Sequence, residues 1–120
     1  MAVTKTRSDL INQALANLGV LAAGQTADTE DFDAVNDHVE QTLAGLDADE
    51  IVTITDDDAI PNEWFQPISV ILADDAAMEF GLPGVPASQA DPNPVETARA
   101  LLRTRTRGKP NGQPLQIDYF

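Results

Sequence analysis

Three consecutive aspartates, Asp56, Asp57 and Asp58, are the side chains whose type and spacing come nearest to metal chemistry. Hard cations such as Ca²⁺ prefer carboxylate oxygens as ligands. The spacing does not fit an EF-hand loop, because Pro61 and Pro67 occupy the positions of its glycine and its bidentate glutamate. We therefore expect a solvated acidic loop, with a small metal-dependent hydrolase as the alternative.

Other residues that could do acid/base chemistry lack suitable partners. Asp74 and Asp75 are adjacent, so on a helix they point in different directions and make a poor acid/base pair. His38 is the only histidine, and no Ser or Cys accompanies it in a recognisable motif. The chain has no cysteine, no Gly-rich phosphate loop and no spacing typical of metal ligands. We predict that the protein is not an enzyme and holds no metal or cofactor.

Charge is strongly segregated along the chain. Residues 8–98 contain nineteen Asp and Glu but no Lys or Arg. A salt-adapted or GC-rich host would account for the mean charge but not for this segregation. An acidic body repels nucleic acid, since phosphate binding needs clustered Lys and Arg. A basic end favours docking on something acidic, and a neighbouring copy of the same body is one such surface. The five bases of this end are Arg99, Arg103, Arg105, Arg107 and Lys109.

Hydrophobic periodicity predicts four main helices as the framework of the chain. They are expected at about residues 7–18, 29–46, 67–80 and 93–107. Thr6 suits the N-cap of the first helix, with Asp9 in the capping-box position. Gly19 suits the left-handed residue that ends it. An interior proline removes a helix hydrogen bond, so we expect residues 61–65 to form a short turn and Pro67 to open the third helix.

The last helix has an apolar side and a basic side. Val95, Ala98, Leu101 and Leu102 are expected to face inward. Arg99, Arg103 and Arg107 should form a ridge at i, i+4 and i+8.

Two segments have the composition of extended chain. The β-branched run 51–55 predicts a short strand or an extended loop. Further along, the aromatic pair Trp64 and Phe65 lies beside a helix start and is expected to pack in the core. After Gly108 two prolines and a glycine indicate an extended tail. It ends in an alternating, strand-like pattern over residues 115–120, with no obvious partner strand within the chain.

The predicted fold is an all-α bundle of four main helices with an extended C-terminal tail that ends in a strand-like segment. Residues 1–108 should form the bundle domain and residues 109–120 an extended C-terminal arm. No apolar run approaches the ~18 residues of a membrane span, so we expect a soluble protein of cytoplasmic origin.

The chain resembles the head-to-tail adaptor proteins of tailed bacteriophages, also called connector, head-completion or packaged-DNA-stabilising proteins. The resemblance extends over most of the chain, through the acidic second helix, the Ala-rich helix ending at Phe80-Gly81, the basic fourth helix and the tail. It begins with Thr6-Arg7-Ser8-Asp9-Leu10, followed by Ala14-Leu15 and Leu18-Gly19-Val20.

This resemblance implies a virion protein at the head–tail junction. It implies a homo-oligomeric, twelve-fold ring beneath the portal protein that extends the DNA channel, retains the genome and docks tail or nozzle proteins. DNA would pass through without sequence-specific binding. In adaptors of this family the C-terminal segment binds the portal. The residues implied here in binding the portal or a neighbouring subunit are Arg99, Arg103, Arg105, Arg107, Lys109, Leu115, Ile117, Tyr119 and Phe120. The alternative function is an acidic DNA mimic that inhibits a nucleic-acid-binding protein.

Overall fold

The described part of the chain forms four α-helices, which confirms the all-α class. A computed structural model describes residues 4–21, 25–86 and 90–107. For Arg107 it describes the backbone only. The helices are α1 (Arg7–Asn17), α2 (Thr29–Ala48), α3 (Asn62–Ala76) and α4 (Pro94–Arg107), and a 3₁₀ turn, Ala77–Phe80, extends α3. Two short strands, β1 (Thr4–Lys5) and β2 (Ile60–Pro61), pair antiparallel.

Both ends of α1 have the local chemistry that the sequence predicts. The Thr6 hydroxyl accepts from the Asp9 amide at 3.2 Å, and the Asp9 carboxylate accepts from the Thr6 amide at 3.1 Å, which completes the capping box. At the other end Gly19 has a φ of 78°. This left-handed residue lets the Val20 amide donate back to the Leu15 carbonyl at 3.0 Å. The helix therefore stops one residue before the predicted end.

Helix α2 ends in a similar motif but without a glycine. It runs two residues beyond the predicted end, and Glu50 takes the left-handed position with a φ of 59°. The Ile51 amide then donates to the Leu46 carbonyl at 2.9 Å. Asp28 is the N-cap residue, although its side chain makes no capping hydrogen bond. The exposed side of α2 carries Asp33, Asp37 and Glu40.

The prediction for the start of the third helix is wrong. Helix α3 begins at Asn62, so Pro67 lies inside it rather than at its first position. Pro67 has no amide hydrogen to donate to the Glu63 carbonyl one turn earlier. That carbonyl instead accepts a hydrogen bond from Arg105 Nη1 of α4 at 2.6 Å. A residue from another helix thus supplies the donor that the proline lacks.

Helix α3 is the centre of the bundle and packs against α1, α2 and α4. Its buried residues include Ile68, Ile71, Leu72 and Ala76. Two buried polar side chains of the bundle are satisfied. Ser69 accepts from Asn17 Nδ2 at 3.1 Å, and Thr42 Oγ1 donates to Asp75 Oδ2 at 2.6 Å. These bonds tie α1 and α2 to α3.

Fewer residues of α4 face the core than the sequence predicts. Ala98 and Leu102 are buried and Val95 packs against the core, but Leu101 is 40% exposed. Leu101 directly precedes Leu102 in the sequence, and successive helix residues lie about 100° apart around the axis. A helix that contacts the body along one stripe therefore leaves one of the two in solvent.

The segment between α2 and α3 is extended. Residues 51–55 form no strand, which agrees with the extended loop of the two structures predicted for them, and Ile51 and Val52 are buried. The chain then reaches β2, where Lys5 pairs with Ile60. This pairing was not predicted, because strands of two residues are too short to show alternation.

No described helix is both long enough and apolar enough to cross a membrane. The C-terminal arm, residues 109–120, and its strand-like segment lie outside the described residues.

Candidate functional site

The acidic loop, Asp56 to Asp58, is built around the start of α1. The Arg7 guanidinium pairs with the Asp57 carboxylate, and the Arg7 amide donates to Asp58 Oδ1 at 3.2 Å. The Asp58 amide in turn donates to Asp56 Oδ1 at 3.0 Å, which holds the turn closed. One oxygen from each of the three carboxylates lies within 4.8 Å of the others. The bonds to α1 explain this proximity, so the loop has a structural role at the helix start.

The other candidate acid/base residues also have structural partners. Asp75 accepts from Thr42, as described above, and Asp74 Oδ1 accepts from the Val85 amide at 3.3 Å. His38 Nε2 lies 3.2 Å from Glu79 Oε2 at the surface. Each of these side chains thus contacts a partner from another part of the fold.

The bases of α4 differ in what they contact. Arg99 Nη1 lies 3.1 Å from Asp49 Oδ2, at the end of α2. Arg105 donates to the Glu63 carbonyl of α3. Arg103 is exposed and forms no ion pair within the part of the chain that the structure describes. Two predicted docking bases therefore hold α4 on its own bundle, and Arg103 projects from the same helix into solvent.

The structure does not describe the side chains of the remaining predicted docking residues. Arg107 ends α4, and its side chain is not described. Lys109, Leu115, Ile117, Tyr119 and Phe120 lie outside the described residues.

An open cleft of about 510 Å³, which the sequence analysis missed, lies beside the end of α4. Its apolar lining comes from Ile51, Val52 and Trp64, and Thr106 of α4 also lines it. Asp47 and Glu50 contribute acidic groups. Trp64 and Phe65 are half-buried and pack against the core, in agreement with the predicted core packing. The only sequence signal for the cleft was the β-branched run 51–55, because its other residues come together through the tertiary fold.

A second open space adjoins this cleft. Glu50, Ile51 and Thr106 line both, and Asp49 and Arg103 complete the second. The basic end of α4 is therefore next to a cleft lined by both apolar and acidic side chains.

Comparison with protein families, with characterised proteins and with solved structures gives no significant match for this chain.

Proposed function

We propose that the chain is a structural virion protein of a tailed bacteriophage, forming a ring below the portal. The ring would extend the DNA channel, retain the packaged genome and dock the tail. Two features support this function. The chain resembles head-to-tail adaptors through most of its length, and it folds as the helical bundle that the resemblance implies.

The charge segregation of the folded chain is the observation that carries the proposal. A ring needs a heterologous interface, in which two different patches of the same protein meet. The exposed acidic side of α2, with Asp33, Asp37 and Glu40, is one such patch. The exposed end of α4, with Arg103, is of opposite charge. Neighbouring subunits can bring these patches together by a single repeated rotation.

The acidic body also suits a channel for DNA. Phosphates repel carboxylates, and binding to DNA at any sequence depends on neutralisation by Lys and Arg. A channel wall without exposed bases would let the genome slide during packaging and ejection. Arg103, Arg107 and Lys109 would then serve protein contacts, either with the portal or with a neighbouring subunit.

Mass photometry of the purified chain, alone and with the portal protein of the same virus, tests this proposal. We expect a complex containing twelve copies of the 12.8 kDa chain on each portal. A chain that stays monomeric at every portal concentration would contradict the proposed function.

The alternative, a DNA-mimic inhibitor, is favoured by one specific feature. Three carboxylates at helical spacing on the exposed side of α2 present a row of negative charge. An inhibitor of this kind would displace DNA from a nucleic-acid-binding protein at near-stoichiometric concentration. A competition assay against labelled DNA separates the two functions, because a ring subunit would leave the DNA complex intact.

A further inference from the structure

The extended segment after α2 has an open backbone edge. The Ile51 and Val52 amides both donate to the Leu46 carbonyl, at 2.9 and 3.4 Å. Beyond them, the backbone of residues 53–55 makes no hydrogen bond to any residue that the structure describes. Thr53 and Thr55 are exposed and Ile54 is half-buried. Open backbone groups on a β-branched, extended segment are a template for an added strand.

The cleft beside this edge has a lining that matches such a strand. Ile51, Val52 and Trp64 offer apolar contacts next to the open edge. Asp47 and Glu50 bring negative charge to the same cleft. A segment that binds here should therefore combine alternating apolar side chains with a positive charge.

We propose that the cleft is the binding site for residues 115–119 of the same chain, which add as a strand beside residues 53–55. Leu115, Ile117 and Tyr119 alternate with polar residues, so one face of the strand is apolar and suits the cleft. Residues 115–119 contain Asp118 and no base, so the positive charge that suits Asp47 and Glu50 comes from Lys109, six residues before Leu115.

The position of α4 allows residues 115–119 to reach the cleft. Thr106, in the last turn of α4, lines the cleft itself. Residues 108–114 are seven residues, which span at most about 25 Å when fully extended. Their two glycines and two prolines suit a reversal of chain direction. A short tether gives an effective concentration of about millimolar, which favours the chain's own strand over that of a second copy.

This inference goes beyond the proposed function. Before assembly, residues 115–119 would occupy the cleft of their own subunit. When the subunit joins the ring, they would leave the cleft and bind a partner instead. The cleft would thus prevent this strand from pairing with other chains before assembly.

The single tryptophan, Trp64, makes the site directly measurable. Acrylamide quenching of its fluorescence should be weaker in the full chain than in a chain that ends at Arg107, because the strand covers the cleft. Ile117→Asp should raise quenching to the level of the shortened chain. Gln116→Asp adds the same charge on the opposite face of the strand and should leave the protection intact. Circular dichroism of each variant checks that the helices are unchanged.

Protection that is the same at all protein concentrations is the expected result for a strand from the same chain. Equal quenching in the full and shortened chains would overturn the proposal. Protection that appears only at concentrations where the mass doubles would also overturn it, since the occupant would then belong to a second copy. Equal loss of protection in Ile117→Asp and Gln116→Asp would contradict the strand-like binding.

Discussion

Arg105 Nη1 donates a hydrogen bond at 2.6 Å to the carbonyl oxygen of Glu63, the group that Pro67 cannot reach with an amide. This bond crosses from α4 to α3. It explains how a proline is accommodated inside the central helix of the bundle. It also shows that one of the bases predicted to face a partner contributes to the fold of its own chain.

Replacing Arg105 should therefore destabilise the bundle more than replacing its neighbour. We expect Arg105→Ala to lower the free energy of unfolding by about 1 kcal/mol, the typical net contribution of one hydrogen bond. Arg103→Ala removes the same charge from the same helix, but Arg103 has no ion pair among the described residues, so its effect should be within about 0.5 kcal/mol. Urea denaturation measures both, and equal effects would contradict this role of Arg105.

A second substitution isolates the link to the proline. Pro67→Ala restores an amide that can donate to the Glu63 carbonyl. In that background Arg105→Ala should cost less than in the native chain. A double-mutant cycle measures this coupling, and strict additivity of the two substitutions would show that the residues do not share the carbonyl.

The left-handed residue at the end of α2 gives a stabilising substitution. Glu50 has a φ of 59°, which costs a residue with a Cβ about 1 kcal/mol relative to glycine. Glu50→Gly should therefore raise the free energy of unfolding by up to about 1 kcal/mol. The control is Ala48→Gly, in the last turn of the same helix, which should lower it by about 0.5–1 kcal/mol. Thermal melts of both variants check the opposite signs.

The acidic loop should behave as part of the fold rather than as a metal site. Asp57→Asn removes the nearer of the two carboxylates that pair with the mostly buried Arg7 side chain, the other being Glu40 at 3.8 Å, and we expect a loss of about 1 kcal/mol of stability. Asp33→Asn makes the same change on the exposed side of α2 and should have little effect. Millimolar Ca²⁺ should leave the melting temperature of the native chain unchanged. A rise that Asp57→Asn abolishes would instead identify a cation site.

The sequence predicted correctly those features that depend on residues close together in the chain. The capping box of Thr6 and Asp9 and the left-handed Gly19 lie within a few residues of the ends they define. Hydrophobic spacing likewise placed α2 and α4 to within two residues. The start of α3 could not be predicted in this way, because its interior proline depends on Arg105, far along the chain. The basic ridge was predicted from helical spacing, whereas the Arg99–Asp49 pair and the cleft depend on how α4 packs against the end of α2.

The different contacts of the bases lead to a prediction for docking. Arg103→Gln should weaken attachment to the portal at low salt without changing stability, because Arg103 is exposed and forms no ion pair within the described ranges. The effect should fade as salt rises, since charge contacts are screened over about 10 Å at 0.1 M. Sedimentation with the portal at several salt concentrations measures it. An effect that does not change with salt would indicate that Arg103 makes no charge contact with the partner.

Co-sedimentation of a shortened chain with the portal tests the central claim most directly. Deleting residues 109–120 removes Lys109 and the apolar residues of the predicted strand-like segment but leaves α1 to α4. The circular dichroism spectrum of the shortened chain should remain helical. We predict that the full chain sediments with the portal and that the shortened chain stays in the supernatant. Binding of the shortened chain at full strength would place the interface on the helical body and contradict the docking role assigned to the basic end and its arm.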